Sequence, residues 1–561
     1  MIDVQRRLTA FLVLAGSPAG AGQGGPGPAV PPTVASVVKN LRASEIAAHT
    51  RFLSNDLLEG RGPGTRGDRL TVEYIVTRFQ AMGLQPAGED GTYLQKVPLI
   101  GVRTDPEKTS LTLSAASGTI APRMFEDYVV TDETQSEGSD IDSELVFVGH
   151  GVVAPENRWD DYKGTDLRGK TLLMLVDDPP ATKDEPNLFG GIARTYYGRW
   201  TYKYEEAVRH GALGAILIHT DASAGYGWSV VRNSWGRERP FLRLAPGERA
   251  LTVAAWITQP VAEKLLRLGG QDLTRLTEEA HSRAFKPVPL GVRVSGRIAS
   301  TLREVTTYNV LARVLGSDPR LREEAVIYSA HHDHLGIGVP KNGDAIYNGA
   351  IDNATGVGVL LELARVWSSS EARPKRSLLF LAAAAEEGGL RGSEYYAAHP
   401  LVAPGRTALN LNFDSVYQLG RVRNVSMLGM ERTTFDPVAR RVAQALSLRV
   451  DPDEHPEQGS FYRSDHFSLA KVGIPAVSVK LGIDYVGRDA DWGKKQWQDY
   501  EANRYHQPGD EYDPAWDFAE GVQMAELLAW LAWEAAETPT LPTWLPGDEL
   551  RAARDRSLSR E

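Results

Sequence analysis

The sequence predicts an α/β protein built on a parallel sheet, with its functional groups gathered at one end of that sheet. Between residues 325 and 415 the short apolar runs AVIYSA, SLLFLAAAA and LNLNF alternate with a helical pattern, GVGVLLELARVW, the signature of strands joined by crossover helices. Each run stops at side chains that bind metals: His331 and Asp333 after the first, Glu386 and Glu387 after the second, Asp414 after the third. In open sheets of this kind, sites form in the crevice beyond the carboxyl ends of the strands, so groups scattered over some eighty residues can meet there. The chain has 561 residues, more than one hydrophobic core usually supports, so at least two domains are expected.

Composition narrows the chemistry. A hydrophobic content of 42% with 24% charged residues describes a packed protein rather than a disordered one. The net charge of -10 argues against a nucleic-acid partner. There are no cysteines, which removes disulfides, thiolate ligands and a cysteine nucleophile, so any metal must be held by nitrogen and oxygen. Imidazole and carboxylate together suit zinc, with manganese or cobalt as substitutes.

Taken in order, the chain opens on Arg6 and Arg7, the apolar run LTAFLVLAG and the small residues Ala19, Gly20 and Ala21, the pattern of an export signal. Export implies a periplasmic or secreted protein. GAGQGGPGPAVPPT follows as a flexible tether, so residues 1–35 are assigned to signal and linker. No later segment has the apolar length needed to span a bilayer, and stable membrane insertion is not expected. Helices are expected over SEIAAHTRFLSNDLL and where Val72, Ile75, Val76, Phe79 and Met82 recur at helical spacing. EGRGPGTRGD, between them, lacks the strand and the GK[ST] ending of a phosphate loop and reads as a turn.

From about residue 140 the texture changes to short strands, SELVFVGHGVV, GKTLLMLVDDPP and GALGAILIHTD, with a helix near TYKYEEAVRHG. His150, His210 and His219 lie here without a matching carboxylate cluster and are read as surface or core residues. VTTYNVLARVLG at 305–316 returns the chain to the first domain, which makes that domain discontinuous. After Asp414 come a strand near VSMLG, a helix near DPVARRVAQALSL, the segment SDHFSLAKVGIPAVSVKLG and an aromatic-rich loop ending in NRYHQPGDEYD, which carries Tyr505 and His506. A last helix, FAEGVQMAELLAWLAWEAAE, is apolar enough to pack on the sheet with Trp530 and Trp533 in the core. The charged ending is expected to fray.

Two resemblances follow from these motifs. KYEEAVRHGALGAILIHTD resembles the protease-associated domain, a small β-rich module, which would occupy residues 140–295 and cap or restrict an active-site cleft without catalytic residues of its own. The His-x-Asp, Asp-Asn, Glu-Glu, Asn-Phe-Asp and Tyr-His elements, in that order, resemble the dinuclear zinc exopeptidases, a family that includes secreted bacterial aminopeptidases and, more distantly, glutamate carboxypeptidase. That resemblance implies a mostly parallel-centred mixed sheet flanked by helices, formed by residues 36–139 and 296–545 and followed by a tail at 546–561. It also implies two zinc ions per chain, one held by His331 and Asp414, the other by Glu387 and His506, with Asp352 bridging them.

Within that scheme Asp333 would accept the other imidazole N–H of His331 and fix the ring. Glu386 binds no metal and would serve as general base toward water and then as acid toward the leaving amine. Both glutamates reach one site only if the chain bends, which Gly388 and Gly389 would permit. Tyr505 either donates its hydroxyl to the oxyanion or packs beside the metal. Ile351 stands where relatives carry a carboxylate or Asn, and Asp465 with His466 matches a family segment near the substrate pocket. The activity implied is removal of N-terminal residues from peptides. A carboxypeptidase or dipeptidase of the same fold, with an arginine such as that of RSDHF gripping a terminal carboxylate, is the alternative, and a glutaminyl cyclase comes after it. The loop around DWGKKQWQDY is expected to line the pocket together with the inserted module.

Overall fold

The structure, a computed structural model, describes residues 30–371 and 373–560. The export signal around Arg6, Arg7 and Ala19 to Ala21, and most of the tether after it, lie outside the described residues. The last residues assigned to the tether are helical, because Pro32 opens the helix Pro32–Lys39, a position where proline costs no hydrogen bond.

Four parallel strands form the centre of the larger sheet, in the spatial order Ser377–Ala383, Ala325–His331, Thr407–Phe413 and Ala476–Leu481. Every residue of the first three is buried, as expected of parallel strands covered on both faces. Period-two alternation sends Val326, Tyr328 and Ala330 into one core and Ala325 and Ile327 into another. The helices Thr355–Ser368 and Ala519–Glu537 cover the first face, with Trp530 buried and the Trp533 ring stacked on Trp367. Antiparallel strands flank the centre: Asn424–Leu428 on one side, and on the other Val288–Val314, Leu94–Thr104 and Arg239–Leu242. The sheet is therefore mixed with a parallel centre, as expected.

Val288–Val314 is one continuous strand of 27 residues, longer than the segment expected at 305–316. Its second half belongs to the larger sheet and its first half to a second one, where it pairs with Ser110–Ala115 and Gly138–Phe147. The second sheet continues through Thr171–Leu175, Gly214–His219 and Val253–Thr258 to Tyr128–Thr131. It thus takes in residues 110–131, upstream of the boundary expected near 140. Helices lie on both its faces, Gln259–Leu268 and Leu273–Ala280 on one, Trp200–Arg209 and Trp228–Trp235 on the other. His150 and His219 are buried there, and the His210 ring stacks on Tyr162 at 3.8 Å.

Two expectations are corrected. The segment around DWGKKQWQDY is the helix Ala490–Asn503, not a loop; its Ala, Lys, Gln and Glu residues favour helix, and Trp492 and Tyr500 turn inward. The charged ending does not fray: Arg551–Leu558 is a helix, and the buried Arg554 guanidinium donates to the carbonyls of Pro542 and Pro404. Among the described residues no helix is long and apolar enough to cross a membrane.

Candidate metal centre

The carboxyl ends of two central strands and a turn that opens a helix deliver the first group of ligand-type side chains. His331 closes Ala325–His331, Asp414 follows Thr407–Phe413, and Asp352 sits in the turn Ala350–Ala354, directly before the helix Thr355–Ser368. The His331 Nε2 stands 3.1 Å from Asp352 Oδ1 and 3.3 Å from Asp414 Oδ1. The other carboxylate oxygen of Asp352 faces His506, whose Nε2 lies 3.3 Å from it and 3.1 Å from Glu387 Oε2. All five expected ligands therefore converge, with Asp352 between the two histidines.

His334, to which the sequence reading gives no role, is also present: its Nδ1 lies 2.7 Å from Glu387 Oε1, and it is fully buried. Ligand atoms of His331, Asp352 and Asp414 lie within 4.8 Å of one another, and so do those of His334, Asp352 and Glu387. Imidazole and carboxylate donors in two such groups, sharing one carboxylate, fit two ions of the zinc type.

Glu386 and Glu387 follow Ser377–Ala383, and the chain bends so that both face the site. The bend lies at Ala385, with φ 52°, and at Gly389, with φ 102°; Gly388, expected to share it, has no left-handed backbone. Asp333 holds the turn, because its carboxylate accepts the backbone N–H of Glu386 at 2.9 Å and of Glu387 at 3.3 Å. The expected bond from the His331 ring to that carboxylate is replaced: Nδ1 is 3.2 Å from the Asp333 backbone carbonyl and 3.7 Å from Oδ1.

The buried charges strongly influence one another. Burial alone would lower the pKa of His331, but Asp414 and Glu386, with Asp333 and Asp352, carry it well above its usual value. Burial opposes ionisation of Glu387, yet His506 and His334 bring it down to about 2. Glu386 goes the other way, pushed well up by burial and by Glu387, Asp414 and Asp465 against the pull of His331. Such crowding of carboxylates calls for cations among them. The Tyr505 hydroxyl is also held protonated, by burial and by the carboxylates of Asp352, Glu387, Glu386 and Asp414; its ring stacks on His506 at 4.0 Å.

Three further residues support this arrangement. Asp510 accepts the backbone N–H groups of Ile351 and Asp352 at 3.0 and 3.1 Å and so fixes the bridging residue. The Ser464 hydroxyl donates to Asp414 at 3.1 Å. Arg61, from the segment read as a turn, is buried beneath the site and donates to the carbonyls of Leu53, His332, Asn348 and Gly349. Burial lowers its pKa to about 10, against the pull of Asp333, Asp510, Asp352 and Glu387. Acidic Asp510, four residues after His506, was a visible signal; nothing in the sequence marks Arg61 as buried. Asp465 and His466 are both fully buried rather than at an open pocket.

Part of the chain is similar to known peptidases. Residues 309–529 match the model of peptidase family M28. The chain is 27% identical over 242 residues to leupeptin-inactivating enzyme 1 of Streptomyces exfoliatus, covering 42% of this chain and 50% of that one. It is 26% identical over 250 residues to a probable leucine aminopeptidase 2 of Aspergillus oryzae, covering 43% and 45%. The chain spans about half the length of these curated relatives. Among solved structures, the aminopeptidase from Aneurinibacillus sp. strain AM-1 aligns over 92% of this chain and 98% of its own, at 22% identity and a TM-score of 0.49. Residues 309–529 are thus similar to the peptidase family M28 domain.

Proposed function

We propose that the protein is a zinc aminopeptidase that hydrolyses the N-terminal peptide bond of peptides. The observation that carries this reading is the pair of ligand groups sharing Asp352, with the non-ligand Glu386 beside them. His331 and Asp414 would hold one ion, Glu387 with His506 the other, His334 standing against the same Glu387 carboxylate. Zinc held there supplies Lewis acidity, polarising a carbonyl and acidifying water.

The remaining work belongs to the chain. Glu386 takes a proton from the attacking water and returns it to the leaving amine, a role suited to a carboxyl whose pKa is raised by burial. Asp333 orients both glutamates through their backbone N–H groups. Tyr505, protonated and partly exposed, donates its hydroxyl to the developing oxyanion. The free α-amine of the substrate, a cation, is received by the carboxylates of the site. The second sheet and its helices, standing beside this site, fit a protease-associated module that restricts access.

Three forms of one short peptide test the reading on zinc-loaded protein: both termini free, amine acetylated, and carboxylate amidated. Loss of cleavage on acetylation alone is the expected result. Loss on amidation alone would replace it with a carboxypeptidase.

A further inference from the structure

A two-stranded ribbon grows out of the metal centre. Gly336–Lys341 begins two residues after His334, pairs antiparallel with Asp344–Tyr347, and returns the chain to Asp352. The strands are joined by Asn342 and Gly343, with φ 55° and 90°, the left-handed pair that a tight two-residue hairpin requires. Among the described residues the ribbon pairs with neither large sheet, so other contacts must hold its shape.

Those contacts act at its base, middle and tip. At the base, Arg61 donates to the carbonyl of His332 before one strand and to those of Asn348 and Gly349 after the other. Gly60 lies so close beneath that a Cβ there would collide with the carbonyl oxygens of Tyr347 and Gly336. In the middle, the Tyr347 hydroxyl donates to the Val339 carbonyl at 3.0 Å, and its ring lies against Gly338, where a Cβ would stand 2.6 Å from Cε2. Near the tip, the Lys341 ammonium donates to the Gln507 side chain, the residue after His506. Gly336–Lys341 therefore starts beside one histidine of the second ligand group and ends against the neighbour of the other, and the two rings are 5.7 Å apart. With the Tyr505–His506 loop it forms one rim of the site.

On this fixed frame two large apolar side chains face solvent: Ile337 is 64% exposed and Val339 68%. Ile337 stands directly opposite Ile346 in the pairing, so those two share a face. Single exposed apolar side chains are ordinary, but β-branched ones on a ribbon held at both ends have little freedom left to lose on contact. Two aliphatic side chains offer on the order of 200 Å² of apolar surface, against about 800 Å² that each partner buries in a stable interface. That is too little to hold a second copy and enough for one side chain of a peptide. We propose that Ile337 and Val339 form an apolar contact for the peptide substrate, receiving a hydrophobic side chain at its second or third residue. The inference rests on the peptidase reading. The position follows from depth: the ligands around the scissile bond are buried, whereas Ile337 and Val339 stand in the open along the rim, so they meet the part of the chain that leaves the site rather than its first residue.

The test compares initial release of leucine from Leu-Gly-Gly-Gly, Leu-Phe-Gly-Gly and Leu-Gly-Phe-Gly by the zinc-loaded protein and by the double variant Ile337→Thr with Val339→Thr, which keeps β-branching and so the ribbon. The wild type should show kcat/KM about five- to tenfold higher for at least one Phe peptide than for Leu-Gly-Gly-Gly, the scale of partly burying one side chain. In the variant that ratio should fall toward one. Because the ratio is taken within each protein, partial misfolding does not alter it. A wild-type ratio near one for both Phe peptides, or a gain that survives in the variant, overturns the proposal. So does a wild-type dimer, seen by sedimentation, that the variant dissociates, since the face would then belong to a second copy. If no peptide is cleaved the peptidase reading falls, and calorimetric titration with the same three peptides decides the contact by itself. Tighter binding of a Phe peptide, lost in the variant, keeps it; equal or absent binding removes it.

Discussion

Glu386 and Glu387 are neighbours in sequence with opposite environments, and their substitution should separate catalysis from metal binding. Glu387 lies within 3.1 Å of His506 and 2.7 Å of His334, whereas Glu386 has its carboxyl pushed up by burial and, among the described residues, forms no ion pair with a histidine. Glu386→Gln should therefore keep its zinc, measured by elemental analysis, and lose about 10²- to 10⁴-fold in kcat, the usual contribution of general acid–base catalysis. Glu387→Gln should lose zinc as well as activity. His466 carries a prediction about stability. Burial, helped by Lys480, lowers its pKa from 6.5 to about 3, so below pH 6.5 the unfolded chain binds a proton that the folded chain refuses. Stability then falls as pH falls from 6.5 toward 3, by about 2 kcal/mol at pH 5 from this group alone. Its ring packs edge-on against Phe461 at 4.9 Å, so His466→Phe fits the space, and thermal melts at pH 7 and pH 5 should show a smaller acid loss than in the wild type. His331, Glu387 and Asp414 were legible because each follows an apolar run, and Asp352 and His506 through the Asp-Asn and Tyr-His elements. Arg61 and His334 were not, since burial of a polar side chain depends on what the distant chain brings against it, here backbone carbonyls and Glu387.

The element that presents the two glutamates depends on a close contact. Gly392, in the helix Arg391–Ala398, donates its N–H to the Ala384 carbonyl at 2.8 Å, and a Cβ there would lie 2.2 Å from that oxygen and 2.4 Å from Asn309 Oδ1. The first is backbone directly after the strand Ser377–Ala383 and the second a buried side chain that accepts the Ala384 N–H, so Gly392→Ala should move the helix away from the strand end and disturb the turn between them. The expected outcome is reduced zinc content together with reduced activity, read on the same purified sample; retained zinc would mean that the Asp333 carboxylate alone holds the turn. Strands were the most legible elements, because a short apolar run that ends at a charged group fits a buried strand emerging into solvent and little else. The helix Ala490–Asn503 was obscured by its composition: a few aromatic and apolar positions among polar ones give no clear period, and its inward residues Trp492 and Tyr500 meet Tyr485 and Asp510, which lie outside the segment. The helix Arg551–Leu558 was hidden in the same way, since the groups that hold Arg554 are carbonyls of Pro404 and Pro542.

At the scale of the whole molecule the question is whether two sheets make two independent units. The return of strand pattern near residue 305 was legible, but the strand Val288–Val314 runs unbroken through both sheets, a continuity that only pairing partners on both sides define. A shared cluster also joins the lobes, with Trp159, Tyr196, Tyr197 and Tyr202 of the second packed with Phe461, Tyr462 and Phe467 of the first. Tyr196 meets Phe467 at 4.7 Å, and Lys471 pairs with Glu205 at 3.2 Å. An interface this apolar, tied by a continuous strand, should couple the lobes so that they unfold together. Metal ligation provides the probe, because a ligand bound only by the folded state stabilises it by about 3 kcal/mol at a hundredfold excess over its dissociation constant. All the candidate ligands belong to the larger lobe. In calorimetry of the zinc-loaded protein, one transition is expected, and chelation should move it downward as a whole, with zinc restoring it. Two transitions, of which chelation moves one, would mean that the second lobe keeps its own stability and that Val288–Val314 joins the sheets without transmitting order between them.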